Sequence, residues 1–500
     1  MPTLSTGAAG VPASNKVPAI FLEVAFGAGV NTAGGLIREV LLLGNKTSAG
    51  SATADTEVKL LTSLTDAETF FGKGSELALM YEAAAGKAPG ATLRGIAITE
   101  AAGAKATATI TVVGAATGTD TYSVFIHGVQ VDVAVASGDV IGTIATNIAA
   151  AINGSGGKLK TLGVTAAAVL GVATVTARHN GTRGNLITIR QKVGTGITGS
   201  AFTLSGALLS GGTGTDSLTA ALATAVTQKY SYYVAAQADT ATLQLLQTQL
   251  TTMAGPLTGK RQVAVYGSRD TLATATTQVQ TLNENRMQAV WQKNSETLPG
   301  VMAAAFAAHR SVSEGQKISA NHDGVDLFPY VLAPPTESDW ADATTQGAAL
   351  NVGLTPIGVD SRTKRPYIVR SITAHSQAGG APDVRTLDTT KIVVPDLFAD
   401  TLASGIPSEF PNLNLVDDPV DPGADELPPG TTTPARIKSF CISIARGLAA
   451  EGHLTDIDSD VKTWAFNMAS ATSPGRVNAT MSISVIDGFH QFSGAIRQIA

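Results

Sequence analysis

The chain has 500 residues, 15% of them charged, and a formal net charge of −5. So low a charged fraction, against ~25% in an average soluble protein, offers no basic surface for nucleic acid or anionic membrane and suits a surface covered by neighbours. Cys441 is the sole cysteine, which excludes an intrachain disulfide and a thiolate metal cluster and reads as a small buried residue on a helix.

In chain order, residues 1–27 open with small residues and Pro2, Pro12 and Pro18, then a short apolar run, Ala19 to Phe26. No basic and apolar leader and no apolar run of ~20 residues occur, so a soluble protein made in the cytoplasm is expected. Leu36 to Leu43 reads as a buried strand, Ser75 as the cap of a helix reaching about Ala85, and Leu93 to Ile98 as a second strand. From 102 to 212 the texture turns to Thr, Gly and Val. Residues 123–135 form an expected hairpin, and Asp139 an expected cap for a helix with Ile141, Ile144, Ile148 and Ile152 on one side. Short strands at Val172–Ala177 and Leu186–Arg190 follow, separated by Asn180-Gly181, and the turn-rich 210–217 closes the insertion.

Residues 216–311 alternate helix and strand. Helices are predicted from Ser217, Asp239 and Asp270 and after Pro299, with strands at Tyr230–Ala235, Arg261–Tyr266 and Arg286–Trp291. Repeated αβ units imply a largely parallel sheet covered by helices, which residues 36–98 would join across the insertion. A proline-rich acidic loop (408–434) precedes a helix from about Ala435 to Ala450. Val477, Ala479, Met481, Ile483 and Val485 then alternate with polar residues, as in a strand with one buried face, and Phe489, Phe492, Ile496 and Ile499 follow an Asp487-Gly488 turn. The fold class is α/β: a central sheet domain (28–101 and 213–374), an inserted β-rich domain (102–212), an α+β carboxyl-terminal domain (375–476) and a strand extension (477–500).

Enzyme motifs fail on inspection. Gly44-Asn45-Lys46-Thr47 follows an apolar strand, but Asn45 breaks the Gly-Lys pair of a phosphate loop, and Gly72-Lys73-Gly74-Ser75 has Ala67 in place of the first glycine. Both read as turns. No Gly-x-Ser-x-Gly elbow occurs, and His179-Asn180-Gly181 reads as a turn. The seven histidines show no ligand spacing. Asp456, Asp458 and Asp460 alternate like calcium-loop ligands, but Val461 and Asn467 occupy the glycine and glutamate positions, so they read as a solvated helix start. No catalytic residue, cofactor or metal is expected.

Five stretches together resemble the contractile tail sheath proteins of Mu-like bacteriophages: NKVPAIFLEVAFG (15–27), ETFFGKGSELALMYEAA (68–84), GTDTYSVFIHGVQVDVAV (118–135), ALNVGLTPIGVDSRTKRPYIVRSITAH (349–375) and SISVIDGFHQFSGAIRQI (482–499). The resemblance implies a virion subunit, assembled in the host cytoplasm into six-fold rings stacked around a tail tube, whose contraction drives the tube through the host envelope. It implies as partners other copies of the chain, the tube protein, and baseplate and tail terminator proteins, without nucleic acid or membrane. It also implies terminal arms that join the sheets of neighbouring subunits.

The strand-like ends suit that role, with Ile20, Leu22, Val24, Met481, Ile483, Val485, Phe489, Phe492 and Ile496 as inter-subunit residues. Burying Met481, Ile483 and Val485 in a neighbour is worth roughly 1.5–3 kcal/mol each before ordering costs. Arg436, Lys438 and Arg446 on the helix after the acidic loop are candidates for a tube-facing surface. Three other readings compete: the sheath of a bacteriocin or injection system, an α/β enzyme with its site at the carboxyl ends of the strands near 235 and 266, and a surface adhesin.

Overall fold

A computed structural model describes residues 38–154, 163–418, 428–468 and 475–490. Ile20, Leu22, Val24, Phe492 and Ile496 lie outside the described residues.

Eight strands form the central sheet in the spatial order Pro366–Ile368, Leu354–Val359, Met287–Trp291, Val263–Ser268, Tyr232–Ala235, Val40–Asn45, Leu93–Ile98 and Val58–Leu61. The six inner strands run parallel and each edge strand is antiparallel to its neighbour. Every residue of Val40–Asn45 is buried, as a parallel strand covered on both faces requires. The period of two divides its side chains between two cores. Val40 and Leu42 join Tyr232 and Val234 under helices Glu76–Lys87 and Pro299–Gln316. Leu41 and Leu43 join Tyr233 and Ala235 under helices Thr240–Ala254 and Leu272–Leu282. Gly300 lets the long helix approach the sheet, since a Cβ there would stand 2.9 Å from Ala236 Cα.

The expected caps hold the helices that lead to this sheet. Ser75 Oγ accepts from Ala78 N at 3.1 Å, and Asp239 Oδ1 from Thr242 N at 3.0 Å. The third helix is capped by Thr271 in place of Asp270, through Thr274 N at 3.3 Å.

The insertion is built as a unit of its own. A four-stranded sheet (Ala201–Leu204, Lys105–Val113, Val172–Asn180, Val164–Val169) and a three-stranded sheet (Val129–Val135, Asp120–Ile126, Ile189–Val193) enclose a core with helix Ile141–Gly154. The 123–135 hairpin is present, turning at His127-Gly128. Two local expectations are corrected. Asp139 accepts backwards from Ala136 N at 2.8 Å and does not cap the helix. Thr182–Leu186 is a 3₁₀ turn with the strand starting only at Ile189, because the Asn185 side chain pairs with the backbone of Gly212 and holds the segment curved.

The carboxyl-terminal unit is thinner. Helix Thr390–Glu409, which contains Pro395 and Pro407, runs two residues into the expected loop, and helix Pro434–Ala450 packs beside it with Cys441 buried. Asp456, Asp458 and Asp460 stand at a one-turn helix, Ile457–Asp460, as expected of a helix start. Among the described residues no helix is long and apolar enough to cross a membrane.

Candidate functional site: a filled sheet end and the carboxyl-terminal surface

An α/β sheet binds ligands outside the carboxyl ends of its strands, where strand order reverses. Here the chain passes from Val40–Asn45 to Leu93–Ile98 on one side and returns to Tyr232–Ala235 on the other, so the reversal lies at Asn45 and Gln237. That crevice is filled from the insertion. Arg183 donates to Asp216 Oδ2 at 2.7 Å, pairs with Glu76 and donates to the Asn45 side chain. Asp216 is 1% exposed at its side chain, so the guanidinium offsets part of the charge of two carboxylates out of water.

The space left beside them is about 30 Å³, lined by Glu76, His127, His179 and Arg183 among others. That is the share of one water molecule. Burial, with the charge of Arg269, pushes His127 down to about 4.

The phosphate-loop lookalikes are turns. Lys46 Nζ donates to Gly50 O at 3.0 Å and Thr47 N to Phe71 O at 2.8 Å, while Gly72 sits at φ +85°. His179 Nε2 accepts from Glu76 N at 3.2 Å and so serves a helix start.

At the opposite end of the sheet a cleft of about 390 Å³ separates the amino ends of the strands from helix Thr390–Glu409. Its charges pair across the gap: Arg261 to Asp400 at 2.9 Å, Lys229 to Asp400, and Arg286 to both oxygens of Asp396 at 2.7 and 2.8 Å. These pairs fasten the carboxyl-terminal helix to the sheet. Sequence reading missed them, because partners more than a hundred residues apart leave no local pattern.

The predicted carboxyl-terminal residues divide into two groups. Val477–Thr480 pairs antiparallel with Ala465–Met468, and Ser484–Val485 with Leu454–Thr455 of the same chain. Val485 is buried, and Met481 and Ile483 pack on the core of Phe398, Leu402, Cys441 and Trp464. Asp460 fixes this segment by accepting from Ser484 N and Oγ, both at 2.7 Å. Phe489, in contrast, is 79% exposed.

Arg436, Lys438 and Arg446 share one helix but not one situation. Lys438 Nζ donates to Trp464 O at 2.7 Å, Arg446 pairs with Asp458 at 2.8 Å on the surface, and Arg436 is exposed.

No family model matches the chain. Over 495 residues, 98% of this chain and 98% of the relative, it is 25% identical to the Mu-like prophage FluMu tail sheath protein of Haemophilus influenzae. The similarity to a Mu-like tail sheath protein runs end to end. Among solved structures, a sheath tail protein from Listeria innocua superposes with a TM-score of 0.50 at 14% identity, covering 92% of this chain and 94% of that one. A sheath tail protein from Desulfitobacterium hafniense gives 0.47 at 13% identity, covering 93% of this chain and 100% of that one. The mixed α/β fold with its largely parallel sheet is thus similar to that of the Listeria innocua sheath tail protein, and the resemblance read from five stretches holds along the whole chain.

Proposed function

We propose that this chain is the repeating subunit of a contractile tail sheath, stacked as six-fold rings around a tail tube and shortening to drive the tube through a host envelope. The whole-length similarity to a Mu-like tail sheath protein carries this reading. The filled sheet end supports it, since the place where an α/β enzyme would hold its substrate is occupied by Arg183. Its partners are then other copies of itself, a tube protein, and baseplate and terminator proteins, and its place is the virion tail, assembled in the host cytoplasm.

Within that reading the insertion projects outward, because both its ends meet at the carboxyl end of the sheet: Ala101 N donates to Asp216 Oδ1 at 2.6 Å. The helix Pro434–Ala450 faces the tube, with Arg436 and Arg446 at the contact. Residues 1–27 and the chain beyond Val485 link neighbouring subunits, Phe489 being the described residue free to enter one. Negative-stain electron microscopy of the purified chain, alone and with its tube protein, tests the proposal. Rings or tubes of uniform width are expected, and a monodisperse monomer under both conditions would refute it.

A further inference from the structure

Strands Lys105–Val113 and Val172–Asn180 of the insertion run from the joint with the central domain, where Asn180 N donates to Glu100, to a far end at Val113 and Val172. Nine residues of strand set the two ends roughly 27 Å apart. The outward face of their sheet is threonine at Thr107, Thr109 and Thr111, and turns to valine at the far end with Val113, Val169 and Val172. Leu170 and Gly171 make the turn there, Val169 pairing with Val172. Around the corner helix Ile141–Gly154 begins, and a Cβ on Gly171 would stand 3.1 Å from Ile141 Cδ1. Five large apolar side chains thus stand exposed together: Val113 at 60%, Val140 at 56%, Ile141 at 38%, Val169 at 68% and Leu170 at 91%.

The turn is not chosen for the stability of the insertion. Leu170 has φ +49° and Gly171 φ +83°. A two-residue hairpin turn with both φ positive favours Asn-Gly, because asparagine tolerates the left-handed region that leucine resists. Leucine at this position is strained and gains little burial. A local rule broken with no gain inside the unit, amid a contiguous apolar patch, marks a contact surface.

The surroundings narrow what can meet it. No lysine or arginine occurs in 106–154 or 163–177, and Asp139 precedes Val140, so anionic lipid and nucleic acid find no cation on these segments. Both edge strands of the sheet have backbone groups engaged by side chains, which discourages strand addition. Asn153 takes Ala166 N and O at 2.9 and 2.7 Å, and Gln191 takes Phe202 O at 3.0 Å. What remains is contact between apolar side chains. A patch of a few hundred Å² is as large as a monomer usually exposes, yet is about half of the ~800 Å² per partner in a stand-alone complex. It suits a partner already kept near by other contacts. In the sheath reading, on which this choice rests, the molecules so kept are other copies of the chain.

We propose that the far end of the insertion, centred on Leu170, is a docking surface for the same end of a second copy of this chain. Like meets like without desolvating a charge on any of the five side chains. The contact adds to subunit contacts made elsewhere and links insertions across the outside of the assembly.

Cross-linking of the full-length chain tests this. Val169→Cys places a thiol in the patch, and the wild-type chain is the blank because Cys441 is buried. With a short bismaleimide, Val169→Cys is expected to give about tenfold more cross-linked dimer than Ala150→Cys, whose exposed site lies farther along helix Ile141–Gly154. Val140→Cys, a second site in the patch, should behave like Val169→Cys. Adding Leu170→Asn should lower both to the level of Ala150→Cys, while Leu170→Asn alone should melt no lower than wild type, since Asn-Gly suits the turn. Cross-linking no greater than that of Ala150→Cys, or unchanged by Leu170→Asn, would overturn the docking surface. So would a lowered melting temperature in Leu170→Asn, because the leucine would then serve the fold. Microscopy of the same samples keeps the two readings apart: tubes without cross-links retain the sheath and sink the docking surface, and cross-links without tubes do the reverse.

Discussion

The insertion and the carboxyl-terminal unit both attach to the central sheet, yet they are completed differently. The insertion closes its own core: Val129–Val135 buries every second residue, and its helix adds Ile144, Ile148 and Ile152. Polar pairs join it to the sheet, among them Arg183 on Glu76 and Asp216, Arg190 on Glu296 at 2.6 Å, and Arg269 of the central domain donating to Leu186 O at 2.6 Å. The carboxyl-terminal unit instead has strands of two to four residues, and draws one core residue, Val485, from a two-residue strand late in the chain. A unit with a closed core can be carried as a rigid outpost. One that depends on a late strand is as stable as that strand's attachment.

The largest effect should come from removing that strand. A chain ending at Arg476 loses Val485 and the packing of Met481 and Ile483, about 3–6 kcal/mol by area. Its carboxyl-terminal unit should melt separately while the central domain keeps its transition, as followed by calorimetry. A chain ending at His490 should melt like full length but form no tubes. If the shorter chain melts normally, the contrast between the two units is wrong.

Arg183→Met should follow, destabilising by about 3–5 kcal/mol because it leaves Asp216 and Glu76 as buried charges without their cation. Urea denaturation should show this, and the Asp216→Asn companion should recover part of the loss. An unchanged midpoint would mean that the insertion is held by its other joints.

His127 sharpens the same joint through pH. Its ring is buried neutral and pushed down to about 4, against about 6.5 when unfolded. The unfolded chain therefore binds the proton more readily, so this contribution is fully present above about pH 6.5 and lost as pH falls towards 4, up to ~3 kcal/mol. Stability measured from pH 7 to 4 should decline less steeply in His127→Leu. Equal slopes would exclude the ring as a source of acid sensitivity.

The smallest change is expected from Arg446→Ala, whose pair with Asp458 is exposed at both ends. It should shift stability by less than about 1 kcal/mol while weakening recruitment to tube protein at low salt. Unchanged co-assembly would remove this helix as the tube contact. Lys438→Ala is the control, because it breaks an internal bond to Trp464 and should cost stability first.

The inner sheet was legible because its signals are local: apolar runs such as Val40–Leu43, caps such as Ser75 and Asp239, and one αβ unit after another. What stayed hidden depends on distant partners. Nothing near Arg183 announces that its guanidinium reaches Asn45, and a two-residue strand such as Leu454–Thr455 carries no periodicity. The alternation from Val477 to Val485 predicts one strand where the structure has two short ones, Val477–Thr480 and Ser484–Val485, and a period of two does not say which chain supplies the partner. Asp139 has the residue type of a helix cap and spends its carboxylate on the preceding turn.

One feature of the central sheet bears on how such a chain meets its neighbours. Along Pro366–Ile368 the outward backbone groups are taken by the loop at 324–327, through bonds such as Gly324 N to Ile368 O at 2.7 Å and Leu327 N to Pro366 O at 2.8 Å. The far side ends in a four-residue strand bearing Lys59, a short charged border that discourages pairing. The sheet is thus closed by the chain itself along Pro366–Ile368 and blunted by charge along Val58–Leu61. If copies of the chain assemble as proposed, contacts made outside the central sheet would leave each central domain free to move as a solid block while those contacts deform.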